Sequence, residues 1–213
     1  MIQTIFLDLD GPLLDGKVRH HQCYADILNA HGFTPIDIET YWFIKRNRCS
    51  MRELLARSGA ESLYDVFLEQ WLKNIELLTY LKLDRLQLGV IAKLQEWLSN
   101  RLQMVLVTMR KNSETLLTQL GSVGLKKYLS EVIVCDHAHG GVGKAEAIKK
   151  VFPEIHAVTS LWIGDTEVDY EGARYLGCPV WMVLNGLRAR DYLESLHPDY
   201  LSESIIDIDL NGK

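Results

Sequence analysis

Short apolar runs alternate with helical patterns along most of this chain, and this alternation restricts the possible folds more than any other feature. Each run has about the length of one fully buried strand. The helical segments between the runs can serve as the crossover connections that parallel strands require. Strands and helices that alternate in this way form a parallel sheet with helices on both faces. The predicted strands are residues 4–9, 104–108, 132–135, 161–163 and 180–184, and the predicted helices include 113–123, 144–151 and 167–176.

One segment interrupts the alternation, because residues 16–82 contain no convincing strand but several amphipathic helical patterns. This segment is far longer than the ~2–6 residues that usually connect a strand to a helix in a compact domain. We therefore predict an α/β fold: a doubly wound, mostly parallel Rossmann-like sheet with an inserted α-helical cap domain. The core domain is expected to comprise residues 1–15 and 83–213, the cap domain residues 16–82, and a possible last strand residues 205–208.

Composition fits a globular protein and argues against several classes of function. Of the 213 residues, 47% are hydrophobic, and the net charge of -5 without a dense Lys/Arg run argues against a nucleic-acid partner. No apolar stretch approaches the ~20 residues that a membrane-spanning helix needs. The four cysteines are far apart without a C-x-x-C pair, and the N-terminus lacks a signal-peptide pattern. We expect a cytoplasmic protein with reduced thiols and no membrane partner.

Two carboxylates separated by one residue, Asp8 and Asp10, follow the first predicted strand and precede Gly11. Like charges at this separation raise each other's pKa unless a cation or distinct hydrogen bonds separate them. Such a pair can divide catalysis between Asp8, a nucleophile that becomes an aspartyl-phosphate, and Asp10, a general acid that protonates the leaving oxygen. The D-x-D-G pattern is equally typical of a polar turn at the end of a strand.

A second pair of carboxylates, Asp165 and Asp169, follows the predicted strand 161–163. At the start of a helix, a spacing of four residues can direct both side chains to one point. Together with Asp8 they offer the hard oxygen ligands that suit Mg²⁺. The helix dipole alone also favours carboxylates in a first helical turn. Glu167, between the two, is a competing metal ligand.

Three further residues are candidates for holding a phosphate. Thr108 ends a predicted strand, where its hydroxyl and neighbouring amides could bind phosphoryl oxygens. Lys144 opens a predicted helix, where its ammonium could pair with Asp8 and with the transferred phosphate. A strand-end threonine and a solvated lysine are also common without such a role. Arg110 adds a cation at the rim of the expected pocket, and we include it among the phosphate-binding residues. A P-loop ending at Lys144 fits poorly, because Ala145 stands where that motif needs Ser or Thr.

The order of these motifs resembles the haloacid dehalogenase (HAD) superfamily of phosphohydrolases, and the helical insertion is similar to the C1-type cap of that superfamily. The resemblance covers about residues 3–15 and 88–196. It implies a Mg²⁺-dependent phosphatase that acts on a small phosphorylated metabolite. The roles that it implies are Asp8 as nucleophile, Asp10 as acid/base, Thr108 and Lys144 as phosphate binders, and Asp8, Asp165, Asp169 and the backbone carbonyl of Asp10 as Mg²⁺ ligands.

Two positions depart from the pattern of that superfamily. Pro12 stands where a threonine usually follows the glycine of D-x-D-G, and Met109-Arg110 stands where many relatives carry Asn or Gly. Proline fixes φ and supplies no hydroxyl, so the loop after Gly11 is expected to be stiffer and less hydrogen-bonded. Neither change removes a catalytic group, but both alter the surroundings in which a substrate would bind.

Several alternatives to a phosphatase stay open at this point. A sugar phosphomutase of β-phosphoglucomutase type is one, because His20 and Ser50-Met51-Arg52 are similar to its hinge histidine and cap motif. A requirement for a bisphosphate activator would distinguish it. A receiver-type signalling domain fits less well, since receivers carry neither the cap nor the second acidic pair. A non-catalytic HAD-like binding protein would be expected to have lost a catalytic aspartate. The chain is expected to be a monomer or a homodimer.

Overall fold

The computed structural model describes residues 1–210, apart from the side chain of His137. The strands in chain order are β1 (Thr4–Leu7), β2 (Leu14–Asp15), β3 (Arg85–Leu86), β4 (Gln103–Thr108), β5 (Glu131–Val134), β6 (Ser160–Gly164), β7 (Val180–Val183) and β8 (Tyr200–Ser202). The α-helices are α1 (Lys17–Ala30), α2 (Ile38–Arg46), α3 (Met51–Ala56), α4 (Tyr64–Asn74), α5 (Leu78–Leu81), α6 (Val90–Ser99), α7 (Ser113–Ser122), α8 (Gly140–Val151), α9 (Glu167–Leu176) and α10 (Arg190–Ser195).

Six strands form one parallel sheet in the order β5-β4-β1-β6-β7-β8, with β1 between β4 and β6. Leu7 of β1 pairs with Leu106 of β4 and with Ile163 of β6. The carboxyl ends of these three strands therefore meet at the same edge of the sheet, where open α/β sheets bind their ligands. The predicted α/β fold with a mostly parallel sheet is confirmed.

Alternate residues of each strand fill two cores, one on each face of the sheet. Ile5 and Leu7 lie in the core that α6 and α7 cover, whereas Phe6 lies in the core that α8, α9 and α10 cover. All four residues of β1 are buried. Burial on both faces explains why the strands read in the sequence as continuous apolar runs.

The possible last strand at 205–208 is wrong. The chain forms β8 earlier, at Tyr200–Ser202, and Ile205–Asp207 is a short 3-10 helix. The carboxylate of Asp207 accepts hydrogen bonds from the backbone N–H and the hydroxyl of Ser204, which closes the turn. Ile205 and Ile208 are both buried in the core beside α6. The spacing of three between these apolar residues therefore reflects a helical turn. The prediction of a strand arose because isoleucine is β-branched and common in strands.

The chain forms two compact units: a core unit of residues 1–15 and 86–210, and a helical unit of residues 16–85. The helical unit has its own aromatic core, to which Tyr24, Tyr41 and Phe67 belong. Within this unit, Asp84 accepts a 2.8 Å hydrogen bond from the Nε of Arg19. Both of these charged side chains are buried.

Two further observations concern the cysteines and the helices. All four cysteines are free. Within residues 1–210, no helix has the length and apolar character that crossing a lipid bilayer requires.

Candidate active site

The structure brings the predicted site residues together at the carboxyl edge of the sheet. Asp8 directly follows β1, Thr108 is the last residue of β4, and Asp165 directly follows β6. The backbone N–H of Asp8 donates to the carbonyl oxygen of Ile163, which continues the pairing of β1 with β6 as far as the first carboxylate. Because three adjacent parallel strands end here, residues more than 150 positions apart share one site.

Lys144 connects two of the predicted carboxylates. Its Nζ donates to Oδ1 of Asp8 at 2.7 Å and to Oδ1 of Asp169 at 2.8 Å, and its side chain is only 3% exposed. Burial by itself would lower the pKa of Lys144, but Asp169 and Asp8 outweigh burial and hold the pKa above its usual value. The ammonium is therefore a fixed positive charge beside the proposed nucleophile.

The side chain of Asp165 is enclosed by the backbone of two loops. A Cβ atom on Gly11 would lie 2.2 Å from its Cγ, and a Cβ atom on Gly186 would lie 2.1 Å from its Oδ2. Oδ2 accepts a hydrogen bond from the backbone N–H of Leu187. Oδ1 is buried and has no hydrogen-bond partner among the described residues. Burial, followed by the nearby charges of Asp8 and Asp169, raises the pKa of Asp165 well above its usual value.

These carboxylates fit a site for a divalent cation. Asp8, Asp165 and Asp169 each offer an oxygen, and the three oxygens lie within 4.8 Å of one another. Burial, with additional contributions from the charges of Asp169 and Asp10, raises the pKa of Asp8 to about 7 despite the opposing charge of Lys144. A cation bound by these oxygens would stabilise their ionised forms and satisfy Oδ1 of Asp165.

Asp169 serves the local structure of α9 as well. Its Oδ2 accepts hydrogen bonds from the hydroxyl of Thr166 at 2.9 Å and from the backbone N–H of Thr166 at 3.2 Å, which form a capping box at the start of α9. Its Oδ1 accepts from Lys144 and, at 3.4 Å, from Nε1 of Trp162. Both interpretations of this acidic pair, a helix cap and a member of the charged cluster, thus apply to Asp169 at once.

The structure places Arg110 on Asp10. The guanidinium Nε donates to Oδ2 of Asp10 and its Nη2 donates to Oδ1, both at 2.7 Å. Arg110, a predicted phosphate-binding residue, thus forms a bidentate pair with the predicted general acid.

Glu167, the competing metal ligand, is engaged by another arginine. Its carboxylate accepts from Nε of Arg188 at 2.6 Å and from Nη2 at 2.8 Å. The three carboxylates that could hold a metal ion together do not include Glu167.

Sequence reasoning missed the loop that follows β7 and the residue that anchors it. This loop supplies Gly186, Leu187 and Arg188 to the surroundings of Asp165 and Glu167. The amide of Gln87 donates to the carbonyl oxygens of Gly11 at 3.0 Å and Asn185 at 3.2 Å, and so ties this loop to the loop after β1. An Asn-Gly turn signal directly after a buried strand could have indicated the loop.

The helical unit carries a cluster of basic residues, Lys45, Arg46, Arg48 and Arg52, of which Lys45 and Arg52 contact aromatic rings. The Nζ of Lys45 lies 4.9 Å from the centre of the Trp71 ring, and the guanidinium carbon of Arg52 lies 3.6 Å from the centre of the Tyr64 ring. The ring of His20 lies 5.5 Å from that of Trp71 and 6.0 Å from that of Trp42. Cation–π contacts therefore account for part of this cluster without any ligand.

The fold and the site together define a class of enzyme. A parallel sheet whose central strand ends in D-x-D-G, with a buried lysine and an acidic pair at the same edge, is the arrangement that the HAD resemblance implies. A family model for haloacid dehalogenase-like hydrolases matches residues 5–183. The chain belongs to the haloacid dehalogenase-like hydrolases, as predicted.

Similar proteins of this family include a phosphoglycolate phosphatase from Rhodobacter capsulatus, 26% identical over 88% of this chain and 87% of the relative. A pyrophosphatase from Oceanobacillus iheyensis is 22% identical over 97% of this chain and 95% of the relative. A solved structure of a haloacid dehalogenase-like family hydrolase from Streptococcus pneumoniae matches with a TM-score of 0.77 at 20% identity, over 97% of this chain and 96% of that one.

Proposed function

We propose that this protein is a Mg²⁺-dependent phosphatase that hydrolyses a small phosphorylated metabolite through an aspartyl-phosphate on Asp8. The observation that carries the proposal is the buried cluster of Asp8, Lys144, Asp165 and Asp169, in which one oxygen of Asp165 has no hydrogen-bond partner among the described residues. The two relatives named as a phosphatase and a pyrophosphatase support the same chemistry.

Asp8, Asp165 and Asp169 would hold the metal ion, with the backbone carbonyl of Asp10 as a further ligand. An all-oxygen donor set of this kind suits Mg²⁺, which is usually bound by one or two carboxylates together with water and substrate phosphate. When bound, Mg²⁺ would neutralise charge on the phosphoryl group and on the carboxylates around it.

In the first step, a carboxylate oxygen of Asp8 attacks the phosphorus atom, and the bond between phosphorus and the leaving oxygen breaks. Asp10 donates a proton to that leaving oxygen, so the product departs as an alcohol. Lys144, fixed by Asp169 beside Asp8, stabilises the negative charge of the transferring group. The hydroxyl of Thr108 and the amides after β4 are proposed to hold the phosphoryl oxygens.

In the second step, a water molecule attacks the phosphorus of the aspartyl-phosphate while Asp10, now ionised, takes one of its protons. The bond between phosphorus and Asp8 breaks, inorganic phosphate is released, and both carboxyl groups return to their starting states. The same aspartate thus acts first as acid and then as base.

The helical unit, residues 16–85, is proposed to act as the cap that selects the leaving group and excludes water during the reaction. Its own fold is fixed by an aromatic core and by the buried pair of Arg19 and Asp84. Because the relatives include a phosphoglycolate phosphatase and a pyrophosphatase, 2-phosphoglycolate and pyrophosphate are the first substrates to test.

The chemistry is tested by measuring hydrolysis of p-nitrophenyl phosphate by the wild type and by Asp8→Asn, with Mg²⁺ and with EDTA. We expect activity that requires both Mg²⁺ and Asp8, with Asp8→Asn reduced by about 10³-fold or more, because no covalent intermediate can form. Asp191→Asn, which changes an exposed carboxylate on α10, is the control and should keep wild-type activity. Substantial activity of folded Asp8→Asn would remove Asp8 from the nucleophile's role.

A further inference from the structure

Arg110 forms a bidentate charged pair with Asp10, the proposed general acid. Both oxygens of Asp10 accept from the same guanidinium, each at 2.7 Å. We infer that Arg110 is a positioning residue that orients the carboxyl group of Asp10 for proton transfer, and that it does not bind the transferred phosphate. This inference rests on the proposed phosphatase function.

The exposed fractions of the two side chains differ. The side chain of Arg110 is 6% exposed, whereas that of Asp10 is 35% exposed. The guanidinium is therefore enclosed by protein, while the carboxylate that it contacts is partly exposed. A phosphate would find the carboxylate accessible and the cation already engaged.

The backbone around Asp10 is restrained as well. Asp10 forms an isolated bridge with Leu14, and the N–H of Gly11 donates to the carbonyl oxygen of Leu14 at 2.9 Å. Arg110 lies on the loop after β4, the strand that pairs with β1. The pair thus spans the loops that follow two adjacent strands, and it fixes the side chain of Asp10 where the turn fixes only its backbone.

Lys144 and Arg110, both buried, therefore contact different aspartates of the D-x-D pair. Lys144 contacts Asp8, the proposed nucleophile, whereas Arg110 contacts Asp10, the proposed acid. A bidentate guanidinium imposes a planar geometry that a single ammonium cannot impose. Proton transfer depends on such geometry, because a general acid must lie within hydrogen-bond reach of the leaving oxygen.

The two possible roles of Arg110 differ in measurable ways. A positioning residue acts only through Asp10, so its loss should matter most for substrates whose leaving oxygen needs a proton, and should not matter once Asp10 is replaced. A phosphate ligand acts on every substrate and on inorganic phosphate, whatever residue stands at position 10.

The test compares Arg110→Gln and Arg110→Lys in the wild type and in Asp10→Asn, with 2-phosphoglycolate and p-nitrophenyl phosphate as substrates and inorganic phosphate as inhibitor. We expect Arg110→Gln to lower kcat for 2-phosphoglycolate about 10-fold or more, as part of the ~10²–10⁴-fold that general acid catalysis supplies. With p-nitrophenyl phosphate, whose leaving group needs less protonation, the loss should be under about 3-fold. The inhibition constant of inorganic phosphate should be unchanged. In the Asp10→Asn background, Arg110→Gln should cause no further loss of kcat.

Arg110→Lys should recover part of the lost kcat, since it keeps the charge but not the fork. It also serves if Arg110→Gln fails to fold, which circular dichroism would show. Arg174→Gln, which breaks a partly exposed pair with Asp199, is the matched control.

Three results would overturn the inference. Weaker phosphate inhibition, with a loss that persists in Asp10→Asn, would make Arg110 a phosphate ligand. If Arg110→Gln hydrolyses both substrates with wild-type kinetics, Arg110 does not position Asp10 for proton transfer. An absence of hydrolysis by folded wild type on either substrate would reject the proposed function itself, and the role of Arg110 with it.

Discussion

The side chain of Asp165 fits in its position because Gly11 and Gly186 carry no Cβ atom. Gly11 has a φ of +103° that side chains rarely adopt, so its requirement is conformational as well as steric. Gly186 has no such φ, and a Cβ there would meet Oδ2 of Asp165 at 2.1 Å. At position 186, the need for glycine therefore comes from the close approach alone.

Gly186→Ala should displace Asp165 and weaken the proposed metal site. We expect the Mg²⁺ concentration for half-maximal activity to rise about 10-fold, and the free energy of unfolding to fall by about 1–3 kcal/mol from overpacking. A Mg²⁺ titration of activity and a urea melt in EDTA separate the two effects. An unchanged Mg²⁺ requirement in the folded variant would show that Asp165 is not a ligand.

At the scale of elements, α8 and α9 approach each other through glycines. A Cβ on Gly141 would lie 2.3 Å from the carbonyl oxygen of Val168, and one on Gly172 would lie 3.0 Å from the carbonyl oxygen of Gly141. Because α8 carries Lys144 and α9 carries Asp169, this close packing brings the two side chains to a 2.8 Å hydrogen bond. The helix α8 begins at Gly140, four residues before the predicted start.

Gly141→Ala should separate α8 from α9, although alanine has the higher helix propensity. We expect a loss of about 1–3 kcal/mol in the free energy of unfolding and at least a 10-fold lower kcat, since Lys144 moves with α8. The matched control is Gly121→Ala in α7, where a Cβ would meet nothing within 4 Å. That change should stabilise the protein by up to about 1 kcal/mol. Equal effects of both substitutions would contradict the packing argument.

For the whole molecule, the charged cluster couples stability to pH and to metal. In the absence of metal, burial raises the pKa of Asp8 to about 7 and also raises that of Asp165. In the unfolded chain, aspartates titrate near ~4. The folded protein therefore retains protons to higher pH than the unfolded chain does, and unfolding becomes easier as the pH rises through this range.

In EDTA, the free energy of unfolding should thus decrease as the pH rises from about 4 to about 7. Mg²⁺ should restore stability near neutral pH, by about 2.7 kcal/mol at one hundred times its Kd. Urea melts across this range, with and without Mg²⁺, measure both effects. Asp165→Asn should reduce both the decrease in EDTA and the gain from Mg²⁺. If the free energy of unfolding at neutral pH is the same with and without Mg²⁺, this would argue against a cation in this cluster.

The sequence by itself indicated five of the six strands of the parallel sheet and most of the residues of the charged cluster. Strands that are buried on both faces appear in the sequence as continuous apolar runs. A polar residue directly after such a run must lie at the carboxyl edge of the sheet. Asp8, Thr108 and Asp165 could be placed for this reason, and Lys144 through the family resemblance. These features depend on residues that are neighbours in the chain, which a pattern can detect.

Only the tertiary structure decided how those residues are paired. The contact of Arg110 with Asp10 joins positions 100 residues apart, and the space for Asp165 depends on the close approach of Gly186 from the loop after β7. The close approach of α8 to α9 at Gly141 likewise depends on the fold around it. Contacts of this kind depend on distances through space and on burial, and no local pattern in the chain records them.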